Sequence, residues 1–431
     1  MNLLKTHKNS VIILISLIIL FTCGDDSIAK FKKVEVNSCV LCHKGLKAKR
    51  LRMPVVNWKK SIHKEAGIIC SDCHGGDPTL LTRKAMSKDA GFIGKPTRFM
   101  IPELCAKCHA NADKMGKYNI PTDQYANYKK SVHGRLLSEE RDEKAAVCID
   151  CHGRHDIKKV TDRNSPVYRL NLPDTCGKCH SSKEIMDGYD IPTDQVKLFK
   201  EGVHGKIIYG KLSDKNPLAA PNCTTCHGKH GERSLSPIDI PGVCGHCHSV
   251  VLENFKKSVH FSMLQQIGIP TCITCHGNHK NIPPTPDKFI GDKERDCGVC
   301  HDSSSIQYQV ATLIKKNIDE AKAILEEAKN GIEELKDAGR NITDLNNKYS
   351  DAVTHILMIP SASHSLNVET INQHIKEAAT ISEDILKTVQ EFRDELKDRF
   401  RDYLIVILMV FVIIFFIFVK LYIIRKKDLS G

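Results

Sequence analysis

Nine times the chain runs cysteine, two residues, cysteine, histidine: CVLCH (39–43), CSDCH (70–74), CAKCH (105–109), CIDCH (148–152), CGKCH (176–180), CTTCH (223–227), CGHCH (244–248), CITCH (272–276) and CGVCH (297–301). Two thiols three positions apart on a turn of helix reach the two vinyl groups on one edge of a porphyrin. The histidine that follows then presents its imidazole to the iron. The pattern points to nine covalent c-type haems. Their attachment cysteines are Cys39 and Cys42, Cys70 and Cys73, Cys105 and Cys108, Cys148 and Cys151, Cys176 and Cys179, Cys223 and Cys226, Cys244 and Cys247, Cys272 and Cys275, and Cys297 and Cys300. The proximal iron ligands are His43, His74, His109, His152, His180, His227, His248, His276 and His301. A zinc ribbon needs two neighbouring pairs and no histidine after each, and a disulfide framework has no use for that histidine.

An iron held by one imidazole has a sixth position to fill, and the spacing of the other histidines suggests what fills it. The stretch between motifs repeats. WKKSIH ends at His63, YKKSVHG contains His133, FKEGVHG contains His204 and FKKSVH ends at His260. CHGRH, CHGKH and CHGNH add His155, His230 and His279. One repeat reads leading motif, S/G-V-H, trailing motif, G-x-H. Full repeats open at Cys105, Cys176 and Cys244, a degenerate one at Cys39 ends CHGGD, and a half repeat stands at Cys297. These seven histidines are the candidate distal ligands. Nine irons need nine, so two are missing, and the shortfall falls on the degenerate first repeat and the terminal half repeat. His364 in the break SASHSLN and His355 on a helix face, with His374 as a third histidine there, are the residues that would supply them; otherwise one or two haems stay open. Of the rest, His7 goes with the leader and His246 lies between its own attachment cysteines.

These residues must be held by short helical turns and coil, with longer helices beyond. Residues 305–402 lack cysteine. Ile314, Ile318, Ala321, Leu325, Ala328, Ile332 and Leu335 recur at spacings of four and three, a heptad seam. Gly339 suits a helix stop, and Asn341 or Thr343 a new start. A second helix is expected to about Pro360 and a third from near Asn367, with Ile371, Ile375, Ala378, Ile385, Val389, Phe392 and Leu396 as its seam. The seams can close within the chain or between copies, as in a homo-oligomer. Residues 403–424 are apolar apart from Lys420, long enough at about 1.5 Å per residue for a bilayer. Arg425, Lys426 and Lys427 then place the C-terminus in the cytoplasm and the haem region on the periplasmic, extracytoplasmic side. Lys5, Lys8 and the apolar run from Val11 to Phe21 read as a signal peptide, with Cys23 a candidate lipid-bearing residue.

The expected fold is therefore mainly α with much irregular coil. Its parts are a signal peptide (1–23), a haem-nucleated repeat domain (24–304), an antiparallel helical bundle or coiled coil (305–402), one C-terminal transmembrane helix (403–424) and a short tail (425–431). Aromatics make up 6% of the chain with one tryptophan, poor stock for a core of this size, so the porphyrins are expected to supply apolar bulk. The net charge of +12 is no sign of nucleic acid: two propionates on each of nine haems would outweigh it, and no arginine-rich helix is present.

The nine C-x-x-C-H motifs with their spare histidines resemble the multihaem cytochromes c of bacterial and archaeal respiration, including class III and related bis-histidine electron-transfer families. The resemblance covers residues 39–301. It implies electron transfer through closely packed haems, between the membrane (the quinone pool or a redox-protein partner) and an exported acceptor. The helical segment after the last motif is also similar to cytochrome c nitrite reductase and hydroxylamine oxidoreductase, although no C-x-x-C-K occurs here. That likeness implies the alternative: an oxidoreductase acting on a small nitrogen or sulfur substrate at an open haem.

Overall fold

A computed structural model of the chain describes residues 37–282, 285, 289–291 and 295–428. The leader, Cys23 and the tail past 428 lie outside the described residues, as do the side chains beyond Arg425. The described residues form helices and coil without strands. They fall into two compact units, one running up to Cys105 together with Gly153–Lys158, the other comprising Ala106–His152 and the residues from Lys159 onward.

Each trailing motif is a five-residue helix: Cys70–His74, Cys148–His152, Cys223–His227 and Cys272–His276. Helices this short need help at their ends, and the third residue of the motif provides it. The Asp72 carboxylate accepts from the Ile69 N–H (2.7 Å), Asp150 from Val147 (2.9 Å), the Thr225 hydroxyl from Asn222 (3.1 Å) and Thr274 from Thr271 (2.9 Å). The glycine after the histidine ends the turn at φ of 67° to 98°, with ψ near ±165° at Gly75, Gly228 and Gly277, a region open to glycine alone. At Gly75 a Cβ would stand 1.9 Å from the Gly91 carbonyl oxygen. The chain reversal there sends the G-x-H histidine of the full repeats away from its own motif. Two of the leading motifs are built differently, on nine-residue helices Ile101–His109 and Leu172–His180 that open with Ile-Pro or Leu-Pro, where proline's missing N–H costs nothing.

The S/G-V-H histidines sit at a break between two helices, as at Gln124–Lys130 and Val132–Ser138. Ser131 is extended there and accepts from the Gly134 N–H (3.0 Å); Ser61 and Ser258 cap the equivalent turns. The two helices approach so closely that a Cβ on Gly134 or Gly205 would lie 1.9 Å from the Tyr128 or Phe199 carbonyl oxygen. Because backbone cannot yield there, Gly134→Ala is expected to cost about 3 kcal/mol. A melting temperature several degrees lower would show it.

One backbone hydrogen bond recurs between successive repeats. Ile62 N–H donates to the Ile157 carbonyl (2.9 Å), Val132 to Glu232 (3.0 Å) and Val203 to Asn281 (3.0 Å). In each case the residue before an S/G-V-H histidine joins the residue two past the G-x-H histidine of the next repeat.

Beyond the last motif run three long helices, Ile306–Asp337, Thr343–Ala362 and Val368–Asp428. The expected first seam is buried throughout, and so is the third from Ile371 to Phe392. Leu396 is 44% exposed: the first helix has already ended at Asp337, so nothing remains for it to pack against. Asn341 accepts from Thr343 (3.0 Å) and Asn367 from Thr370 (3.0 Å), capping the second and third helices. The second helix continues through Pro360 to Ala362. The third leaves the bundle as one unbroken helix whose side chains from Tyr403 to Ile424 are all exposed. By length and composition it is able to cross a membrane.

Candidate functional site: paired imidazoles

Among the described residues at least seven of the nine motif histidines stand opposite a histidine from elsewhere. Among the trailing motifs, His74 faces His155 (ring centroids 6.1 Å apart), His152 faces His230 (6.0 Å), His227 faces His279 (6.1 Å) and His276 faces His364 (5.9 Å). Among the leading motifs, His180 faces His133 (6.1 Å), His248 faces His204 (6.4 Å) and His301 faces His260 (6.2 Å). Two metal–nitrogen bonds of about 2.0 Å, with about 1.1 Å from each bonded nitrogen to its ring centre, span about 6.2 Å. Each gap would admit one iron bound by both imidazoles, and the residues fit haem.

The partners follow an order. A trailing motif meets the G-x-H histidine of the following repeat, and a leading motif meets the S/G-V-H histidine of the preceding one. The last trailing motif has no G-x-H after it. His364, in the turn Ser363–Ser365 between the second and third long helices, stands there instead. The Asn254 amide holds that turn by donating to the Ser361 carbonyl (3.0 Å). His355 is placed elsewhere. Its Nδ1 lies 3.2 Å from Nδ1 of His374, and among the described residues the ring that each of the two stands against is the other's, not that of a motif histidine.

The surroundings set the imidazoles' tautomer and charge. Nδ1 of His74 donates to the Gly94 carbonyl (2.8 Å), His227 to Arg233 (3.2 Å), His364 to Pro360 (2.7 Å) and His43 to Leu51 (3.3 Å), while His204 meets the Asn281 side-chain oxygen (3.0 Å). With Nδ1 engaged, Nε2 is the nitrogen left to hold a metal. Burial pushes His133, His155, His180, His204, His230, His260, His279 and His364 below the ordinary histidine range and, with the nearby His230, takes His152 to about 4. A neutral imidazole is the form that binds metal. The residue two past G-x-H supplies the polar neighbour of the S/G-V-H ring: Asn281 for His204 and Glu232, at 3.9 Å, for His133. Burial raises the Glu232 carboxyl to about 7.

The cysteines of successive motifs also adjoin. The thiols of Cys176 and Cys223 are within hydrogen-bonding reach, as are those of Cys244 and Cys272. Cys151 lies near Cys176, Cys226 near Cys244, Cys275 near Cys297 and, in the first repeat, Cys39 near Cys70. Among the described residues no three of His, Cys, Asp and Glu converge on one point, as a closed zinc site would require. Sequence reasoning missed the self-capping Asp or Thr of the trailing motifs and the role of the residue two past G-x-H. The first signal was there to read, since C-x-[DT]-C-H separates the trailing motifs from the leading ones.

Comparison with known proteins agrees with this geometry. A family model described as cytochrome c3 matches residues 62–181. The chain is 24% identical over 248 residues to the multiheme cytochrome MtrA of Shewanella baltica (strain OS185), a match covering 54% of this chain and 61% of that protein. The chain thus spans about three fifths of that relative's length.

Proposed function

We propose that the chain is a multihaem cytochrome c acting as a membrane-anchored electron conduit with nine covalently bound haems, at least seven of them bis-histidine, a reading supported by its likeness to the cytochrome c3 family model and to a multiheme cytochrome. The observation that carries this reading is the set of seven imidazole pairs at 5.9–6.4 Å. Haem iron with two imidazoles gains and loses one electron without taking up substrate. The chain's own part is to hold each iron from both sides, to interleave successive repeats and to set neighbouring attachment cysteines side by side. From Cys148 to Cys300 the neighbouring attachment cysteines would hold successive haems close together, and bound haems would supply a path for electrons along the order of the sequence. Donor and acceptor are redox proteins or the quinone pool on one side and an exported acceptor on the other, with the haem region on the extracytoplasmic side of the helix at 403–424. A stepwise redox titration of the purified protein tests the conduit. Nine one-electron equivalents with fast equilibration support it, and isolated, slowly equilibrating centres count against it.

One pair has two distinguishing signatures. The rings of His133 and His180 are turned 52° apart, whereas the other six pairs lie within 29°. Aligned imidazole planes donate into one iron d orbital and split the pair; planes turned apart leave it nearly degenerate. The His133–His180 haem is expected to give the most anisotropic low-spin electron paramagnetic resonance signal, which His133→Ala would remove. Above about pH 7, where Glu232 is ionised, its carboxylate 3.9 Å from His133 Nδ1 would make that imidazole a stronger donor. Glu232→Gln is expected to raise the potential of this haem by tens of millivolts, with a smaller rise at the neighbouring haem on Cys148 and Cys151, because Glu232 also lies near Cys151.

A further inference from the structure

We propose that the haem on Cys39, Cys42 and His43 keeps its sixth position for an exogenous ligand, a small inorganic anion with a donor lone pair, such as nitrite or sulfite. The inference rests on the haem reading above. Every leading motif with a repeat before it has an S/G-V-H histidine to draw on, and every trailing motif meets a G-x-H histidine or His364. The motif at 39–43 has no repeat before it. Its ring is oriented like the others, with Nδ1 on the Leu51 carbonyl at 3.3 Å and Nε2 left for iron, yet among the described residues no second imidazole faces it. The two remaining histidines of the bundle, His355 and His374, are spent on each other.

The charge around the motif names the ligand class. Residues 36–64 contain eight lysines and arginines and no acidic residue. Lys44, Lys47, Lys49, Arg50 and Arg52, within nine positions of one another, are all exposed. Two propionates offset only part of this, and a one-signed patch beside an open metal position concentrates small anions.

The test uses the full-length, haem-loaded protein in detergent. With nine haems per chain confirmed by pyridine haemochrome, the reduced protein is expected to bind one equivalent of carbon monoxide, and the oxidised protein to show one high-spin haem whose band shifts on adding nitrite. The double variant Cys39→Ala, Cys42→Ala should retain eight haems and lose carbon monoxide binding. Lys49→Glu with Arg52→Glu should weaken nitrite binding about tenfold and leave uncharged carbon monoxide unchanged. Nine haems that are all low-spin and inert to carbon monoxide would overturn the proposal, as would carbon monoxide binding that survives loss of the first motif. Equal loss of both ligands in the charge variant would overturn the anion assignment. Fewer than nine haems in the unaltered protein would instead defeat the underlying haem reading.

Discussion

Replacing His364 by alanine is expected to convert one low-spin haem into a high-spin haem that binds carbon monoxide, doubling the equivalents taken up per chain from one to two. His364 reaches His276 from outside the repeat, with ring centres 5.9 Å apart. Its Nδ1 donates to the Pro360 carbonyl at 2.7 Å, and burial keeps the ring neutral. The turn that carries it is tied down by Asn254, so no neighbouring histidine is free to move in. His355→Ala is the control. That ring contacts His374, and its loss should leave the spin-state count as it was. If His364→Ala keeps every haem low-spin, the bundle does not serve as a ligand donor.

Ending the chain after Asp402 is expected to move nearly all of the protein from the membrane to the soluble fraction, with haem content unchanged. The twenty-two residues from Tyr403 to Ile424 are exposed along their whole length. At about 0.5 kcal/mol for each apolar residue their insertion is worth on the order of 10 kcal/mol, and Lys420 near one end can snorkel. The bundle should survive the cut because its buried seam closes by Phe392, in the cluster with Ala328, Ile332, Leu335, Leu345, Ile385 and Val389. Retention of the truncated protein in membranes would place the anchor elsewhere. The same helix sets a distance. From Val368 to Tyr403 it contains neither proline nor glycine and rises about 50 Å. The His276–His364 pair, just before the start of this helix, is therefore separated from the proposed span by about 50 Å of helix.

How much of this was legible in the sequence depends on the range of the interaction. The cysteines and the histidine that follows them are set by local geometry, so the motif alone locates them. The spare histidines stand out as a set because they recur with the motifs. Their pairing is not visible, since each ring is delivered to a neighbouring repeat: His230 crosses to His152 and His133 to His180. That choice is made by a glycine reversal and by a backbone hydrogen bond one repeat away; the glycine of C-H-G-x-H is visible in the sequence, but the hydrogen bond that fixes where its histidine lands is not. The bundle shows the same limit. The heptad seams of Ile314 to Leu335 and Ile371 to Phe392 were plain from their period, whereas the exposure of Leu396 depends on where a different helix stops. His355 and His364 were alike as candidates. Only the turn that ends the second helix separates them, by carrying one ring out to His276 and leaving the other against His374.

The most direct measurement is the haem-to-polypeptide ratio of the purified full-length protein, taken by pyridine haemochrome alongside elemental analysis for iron and zinc. The account predicts nine haems and nine irons per chain, with no zinc. A colourless protein, a ratio well short of nine, or zinc in place of iron would contradict it.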